Sequence, residues 1–87
     1  MPLYRIERNL GRVSPEEIDA AAFRSISCLT AFAGMAWIRS FYDAQAGQMT
    51  CYYVAANPDD LRKHAEVARI PCDTVAEVIE YLPDAYR

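Results

Sequence analysis

Two helix-start signals, each directly after a strand-like segment, constrain the fold of this chain more than any other feature. Ser14-Pro15-Glu16-Glu17 combines a capping serine, a proline suited to the first helical position and a glutamate that completes a capping box. Asn57-Pro58-Asp59-Asp60 repeats this arrangement, with acidic residues at the positive end of the helix. The sequence therefore predicts two successive strand–helix–strand halves.

Four segments have the apolar patterns that are typical of β-strands. The first alternates, with Tyr4 and Ile6 on one face and Arg5 and Glu7 on the other. The second and third are rich in aromatic residues, and the segment 44–47 between them fits a short hairpin loop. The predicted strands are Leu3 to Arg8, Met35 to Asp43, Gln48 to Ala56 and Val75 to Leu82.

Both predicted helices have one apolar face and a recognisable end. The first is expected to run to about Ala33, because Gly34 accepts the positive φ of a helix terminus. The second is expected to end before Pro71. At 100° per residue, the inner faces are predicted to be Ile18, Ala22, Ser25, Leu29 and Phe32 in the first helix, and Leu61, Ala65 and Ala68 in the second.

The central hairpin is apolar on both faces. Strict alternation places Trp37 and Phe41 on one face, opposite Ile38 and Tyr42. A sheet covered on one side only would show a cleaner polar alternation. We therefore expect one α+β domain over residues 1–87, with a ferredoxin-like βαββαβ order and two helices on one face of an antiparallel four-stranded sheet. We expect a homodimer, a dimeric α+β barrel, through the open face.

Charge and composition argue against several classes of protein. The net charge is −3 and no run of basic residues occurs, so no nucleic-acid partner is expected. No apolar stretch approaches the ~18 residues of a membrane span, and the N-terminus lacks a signal-peptide pattern. A cytoplasmic protein is expected, with its three widely spaced cysteines as free thiols.

The residues best suited to bind a metal are Cys28, Cys51 and His64. In this fold they come from the first helix, the third strand and the second helix, and are expected to converge between helices and sheet. Two thiolates and an imidazole suit a soft or borderline divalent metal. They also suit a thiolate activated by histidine. The alternative for each is a structural role, as a small apolar cysteine or a packed histidine.

A second candidate site is formed by aromatic residues on the central strands. Trp37, Phe41, Tyr42, Tyr52 and Tyr53 are candidates to line a cleft for a flat apolar ligand, with Arg39 and Ser40 as candidate polar anchors. The predicted pocket residues among them are Trp37, Ser40, Tyr42 and Tyr53. The alternative is that these side chains belong to the core and the dimer interface.

Six short motifs follow one another along the chain: Ser27-Cys28, Trp37 to Phe41, Cys51 to Ala55, Asn57 to Asp60, Arg62 to Ala65 and Ile70-Pro71. Together they resemble a family of small bacterial nickel-binding-type proteins. The resemblance implies a ferredoxin-like fold, a homodimer and nickel or another divalent metal, with no organic cofactor. Phe41 stands where the family pattern has a tyrosine.

Three functional hypotheses follow from these residues. The first is a small dimeric metal-binding protein that uses nickel or another late divalent metal. The second, by analogy of fold, is a cofactor-free enzyme of the cyclase or monooxygenase type. The third is a non-catalytic module that binds a small molecule. The sequence does not decide whether the chain is an enzyme.

Overall fold

The ferredoxin-like α+β fold is confirmed by the computed structural model, which describes residues 1–87. The sheet order is β2-β3-β1-β4, and every neighbouring pair of strands is antiparallel. The elements are β1 (Leu3–Asn9), α1 (Pro15–Leu29), β2 (Ala36–Asp43), β3 (Gln48–Val54), α2 (Pro58–Ala68), β4 (Thr74–Val78) and a final 3₁₀ turn (Pro83–Tyr86).

Both helices begin where the capping signals predict. The Ser14 hydroxyl accepts a hydrogen bond from the backbone N–H of Glu17, and the Glu17 carboxylate accepts one from the N–H of Ser14, which completes the capping box. The Asn57 side chain accepts from the N–H of Asp60 at 2.8 Å. These bonds satisfy backbone donors that a helix leaves free at its first turn.

Helix α1 ends earlier than the glycine signal predicts. Its last residue is Leu29 rather than about Ala33, and Thr30 caps it. The chain then tightens into short turns in which Phe32 N–H donates to the Leu29 carbonyl and Met35 N–H to the Phe32 carbonyl. Gly34 does adopt a positive φ of 77°, but it ends this turn and not the helix.

Strand β4 is also shorter than predicted, ending at Val78 rather than Leu82. Its only neighbour in the sheet is β1, and Val78 lies opposite Leu3, the first residue of that strand. No strand remains for the following residues to pair with. The segment from Ile79 to Leu82 is therefore left exposed beyond the sheet.

The core lies between the helices and the inner face of the sheet. Tyr4 and Ile6 of β1 and Cys51 and Tyr53 of β3 are buried there, as the alternation predicts. The predicted apolar stripe of α2 is confirmed, since Leu61, Ala65 and Ala68 are all buried. In α1, Ser25 is the only fully buried residue.

A bulge in β2 overturns the predicted alternation of that strand. The pairing with β3 shifts between Trp37 and Arg39, which inserts one extra residue. Trp37 consequently lies on the inner face with Ser40, to which its indole N–H donates at 2.8 Å. Phe41, predicted to share a face with Trp37, lies on the outer face. Its ring is nearly perpendicular to the ring of Tyr52, with 6.4 Å between the ring centres.

The outer face of the sheet forms an open cleft of about 400 Å³. Its apolar lining includes Ile38 and Phe41 of β2, Tyr52 of β3 and Ile79 after β4. The charged residues Arg5, Arg39 and Glu80 also line it. Phe41 and Ile79 remain largely exposed. None of the helices is both long enough and apolar enough to cross a membrane.

Candidate functional site

A chain of buried hydrogen bonds connects both helices to the third strand. The ring Nε2 of His64 in α2 bonds the backbone carbonyl of Ser25 in α1 at 2.9 Å. The hydroxyl of that same serine bonds the phenol of Tyr53 in β3 at 2.6 Å. All three residues are buried. Ser25 is therefore the link that positions the histidine and the tyrosine relative to each other.

The hydrogen bond to Ser25 determines the tautomer of His64. A backbone carbonyl only accepts, so the hydrogen must be on Nε2 and the lone pair on Nδ1. Nδ1 is buried and has no partner. Burial lowers the pKa of His64 below its ordinary value of 6.5, and nearby Arg8 lowers it further, against the opposing effect of the Ser25 carbonyl. The imidazole is thus neutral at pH 7.

Burial also raises the pKa of the Tyr53 phenol, although the hydrogen bond between its hydroxyl and that of Ser25 and the charge of Arg8 act in the opposite direction. The phenol therefore keeps its proton at neutral pH. The tyrosine ring lies 5.6 Å from the ring of His64, centre to centre. The site thus offers uncharged hydroxyls and an uncharged imidazole.

The only cationic side chain of the cluster belongs to Arg8, which is 3 % exposed. Its Nε–H points to the sulfur of Cys51 at 3.4 Å, and Nη1 donates to the Pro71 carbonyl. Its guanidinium carbon lies 5.7 Å from the centre of the Tyr53 ring, within the range of a cation–π contact. Nη2 is buried without a partner.

An open cavity of about 250 Å³ lies beside this cluster, between α1 and the inner sheet face. Ten of its thirteen lining residues are apolar, so the walls suit an apolar ligand with a few polar contacts. Its polar residues include Arg8 and Ser25, from β1 and α1. The complete lining is Arg8, Leu10, Ile18, Ala21, Ala22, Ser25, Trp37, Ser40, Tyr42, Met49, Cys51, Tyr53 and Ile70.

The four residues predicted for a ligand pocket all line this one cavity: Trp37, Ser40, Tyr42 and Tyr53. The bulge in β2 brings the first of them to the inner face. Whether the cavity receives a ligand stays a prediction. The Tyr42 hydroxyl donates to the Gly11 carbonyl and accepts from the N–H of Val13, so it holds the loop before α1 against the cavity wall.

Arg8 and Ser25 were not predicted as site residues. Ser25 was expected only as part of the inner face of α1. Side chains of a strand alternate between its two faces, so Arg8 is predicted to share the inner face with Tyr4 and Ile6. An arginine in register with buried apolar residues indicates either the end of a strand or a buried charge, and the structure shows the second.

The sequence matches the model of a known protein family over most of its length. The model of the SCO4226-like family, described as "Nickel responsive protein SCO4226-like", matches residues 4–78. This chain belongs to that family. Apart from Leu3, the match includes all four strands and both helices, and it confirms the resemblance that the motifs indicate.

A solved structure of the family has the same fold. The crystal structure of SCO4226 from Streptomyces coelicolor A3(2) superposes with a TM-score of 0.82 and 12% sequence identity, covering 92% of this chain and 99% of that one. At this identity the similarity concerns the fold. No curated protein was found to match the sequence.

The residues of the site fit nickel, which the family description names, only in part. His64 fits in part: a neutral imidazole that donates one ring N–H to a carbonyl and keeps the other nitrogen free is the usual arrangement of a metal-binding histidine. The predicted set of three does not assemble, because no group of three or more His, Cys, Asp or Glu side chains is placed to hold a metal ion. Arg8, between Cys51 and the aromatic ring of Tyr53, also repels a cation.

The predicted ligands accordingly lie in different surroundings. Cys51 is buried and lines the cavity, where it receives the N–H of Arg8. Cys28 is partly buried on the last turn of α1, and His64 lies behind the cavity wall rather than on it. The third thiol, Cys72, has a pKa raised by burial, so it is a weaker thiolate donor than an exposed cysteine.

Proposed function

We propose that this member of the SCO4226-like family is a small-molecule binding protein whose site is the cavity between α1 and the sheet. The observation that carries the proposal is a cavity with mainly apolar walls and a few polar side chains among its lining residues. Apolar surfaces of Trp37 and Ile18 provide area for burial, while Ser40 and Arg8 provide polar contacts. This combination is typical of small-molecule sites.

The proposal is tested by filling the cavity. Trp37 is the only tryptophan of the chain and lines the cavity, so its fluorescence reports on the site. We expect a panel of single-ring acids, amides and alcohols to contain compounds that change this fluorescence saturably. Ala22→Leu places a larger side chain in the cavity wall and should abolish the change.

The matched control is Ala20→Leu, the same substitution at an exposed position of α1 that does not line the cavity. It should leave binding unchanged. If no compound of the panel changes the Trp37 signal, or if both leucine variants bind as the parent does, this cavity is not a binding site.

The same proposal includes a homodimer through the outer sheet face. Support comes from the aromatic side chains of Phe41 and Tyr52 in the cleft of the outer face and from the exposed apolar tail that follows β4. Four large apolar side chains of that tail are more than half exposed: Ile79, Tyr81, Leu82 and Tyr86. Pairing of two sheets would cover them and would leave the cavity of each chain on its helical side.

Binding of nickel, or of another late divalent metal, is a second candidate function. It is favoured by the family description and by the free Nδ1 of the neutral His64. Its predicted ligands are Cys28, Cys51 and His64, and they are tested by titrating nickel, zinc and cobalt into the parent, His64→Gln and Cys51→Ser. Stoichiometric binding that is lost in both variants would support it. No binding by the parent would end the metal proposal.

A further inference from the structure

Arg8 is a buried cation without an anionic partner. The chain has four ion pairs, and all four join other residues that are substantially more exposed: Arg5–Glu7, Arg39–Glu80, Arg62–Asp59 and Arg87–Asp84. The two acceptors of the Arg8 guanidinium are a sulfur and a backbone carbonyl. A buried charge is costly unless an opposite charge compensates it.

The Arg8 guanidinium also has N–H groups that bond no acceptor. An arginine carries five N–H groups. The bonds to Cys51 and Pro71 use one on Nε and one on Nη1, which leaves three without an acceptor, including both on the buried Nη2. Neighbouring free N–H groups on Nη1 and Nη2 suit the two oxygens of a carboxylate, and a rotation of the guanidinium would bring the buried Nη2 to the cavity.

We propose that the cavity binds a small monocarboxylate, with Arg8 as its anion anchor. This inference rests on the proposed function, because it names the class of ligand that the cavity takes. The carboxylate would supply the charge that Arg8 lacks, and the apolar part of the acid would lie against Trp37 and Ile18.

The volume of the cavity indicates the size of the part of the acid that it would enclose. At ~30 Å³ for each water molecule, the volume of about 250 Å³ equals about eight waters. This suits an acid with a single ring or a short aliphatic chain. The mainly apolar lining disfavours a doubly charged phosphate, since Arg8 is the only cationic residue among the lining residues.

The geometry also identifies the residues that would assist Arg8. Ser40 accepts the indole N–H of Trp37, so its own hydroxyl hydrogen is free to donate to a ligand. The Ser25 and Tyr53 hydroxyls bond each other, and only one of their two hydrogens is used in that bond. All three residues line the cavity with Arg8.

The experiment compares ligands that differ in charge and little else. Benzoate, benzamide and benzylamine are titrated into the parent, and binding is followed by Trp37 fluorescence and by calorimetry. We expect benzoate to bind about ten- to a hundredfold more tightly than benzamide, because a hydrogen bond to a charged group is stronger than one to a neutral group. Benzylamine should bind more weakly than either.

Two variants assign the preference to its residue. Arg8→Met keeps the length and apolar stem of the side chain but removes its charge, and it should reduce the preference for benzoate over benzamide to about twofold or less. Arg5→Met is the matched control, because Arg5 lies on the same strand but on the outer sheet face. It should leave the preference unchanged.

The outcomes separate this inference from the proposed function. Equal affinity of the parent for benzoate and benzamide would overturn the carboxylate inference while leaving the binding proposal intact. Absence of binding by all three compounds and by the wider panel would overturn both. If Arg8→Met does not fold, as judged by its circular dichroism, the comparison of benzoate with benzamide in the parent decides alone. An unchanged benzoate preference in a folded Arg8→Met would show that another group is the anchor.

Discussion

His64 of α2 donates its Nε2–H to the backbone carbonyl of Ser25 in α1, across a distance of 2.9 Å. This bond joins the two helices above the sheet. The ring also meets the edge of Phe32 at 5.8 Å between centres, so it is packed from the turn after α1 as well. A fully buried imidazole held in this way is neutral, and protonating it would place a second positive charge near Arg8.

The first prediction concerns the pH dependence of folding. Because the pKa of His64 is lower in the folded chain than its ordinary value of 6.5, the unfolded state binds the extra proton first. The stability that depends on a neutral His64 is complete above about pH 7 and is lost as the pH falls through 6.5 toward the folded pKa. The loss should be about 1.4 kcal/mol for each pKa unit between the two states.

Urea unfolding between pH 7.5 and 5 measures this loss. His64→Gln retains a side-chain N–H donor but does not titrate, so its free energy of unfolding should fall less steeply over this interval. Since His64 is the only histidine, no other imidazole contributes. The same slope in the parent and in His64→Gln would contradict the prediction.

The second prediction concerns the buried pair of hydroxyls. Tyr53→Phe removes the phenol oxygen and leaves the buried Ser25 hydroxyl without that partner. The free energy of unfolding should fall by about 1–2 kcal/mol. Tyr52→Phe is the control, because it removes a hydroxyl from the neighbouring residue on the outer sheet face. It should change the stability by about 0.5 kcal/mol or less.

Local signals in the sequence were sufficient for the fold but not for the site. The caps at Ser14 and Asn57 fix the helix starts, since each depends only on residues within one turn. The bulge after Trp37 depends on how β2 pairs with β3, which no local pattern encodes. Its effect is to move Trp37 to the inner face, beside Ser40.

The predicted convergence of thiols and histidine shows a second limit. Topology places Cys28, Cys51 and His64 between helices and sheet, but a ligand group needs distances, and those depend on side-chain packing. The alternation of β1 is enough to predict that Arg8 lies on the inner face of the sheet. Its lack of a counter-charge could not be predicted, because that depends on where every acidic residue of the chain lies.

The third prediction concerns the approach of two loops at one end of the sheet. Gly47 has a φ of 67°, and its carbonyl accepts the N–H groups of Leu10 and Gly11 at 3.0 Å. A Cβ atom added at Gly47 would lie 2.7 Å from backbone atoms of Gly11, closer than packing allows. Gly47→Ala should therefore lower the free energy of unfolding by more than the ~1 kcal/mol cost of positive φ alone.

Gly11→Ala is the matched control for this prediction. Gly11 has a similar φ of 70°, but a Cβ atom there would meet no atom within 4 Å. Its cost should be close to ~1 kcal/mol, and the difference between the two variants measures the steric overlap. Equal losses of stability in urea unfolding would show that the loops separate to accommodate the methyl group.

The last prediction concerns the outer sheet face, where the proposed dimer forms. Phe41 is 61% exposed, and its ring forms a T-shaped pair with that of Tyr52 in the cleft of the outer sheet face. If two chains pair through this face, Phe41→Asp replaces a large apolar side chain of the interface by a charge that must lose its hydration, and should weaken the dimer by about a hundredfold or more. Sedimentation equilibrium measures this change directly, as a shift from the mass of two chains toward the mass of one.

Phe23→Asp is the control for that experiment. Phe23 is 71% exposed, comparable to Phe41, but it lies on α1, on the helical side of the sheet. Phe23→Asp should leave the dimer intact. Both variants change the net charge by the same amount, but only Phe41→Asp changes the outer sheet face. A monomeric parent would contradict the dimer proposal, and dissociation by Phe23→Asp alone would place the interface on the helices instead.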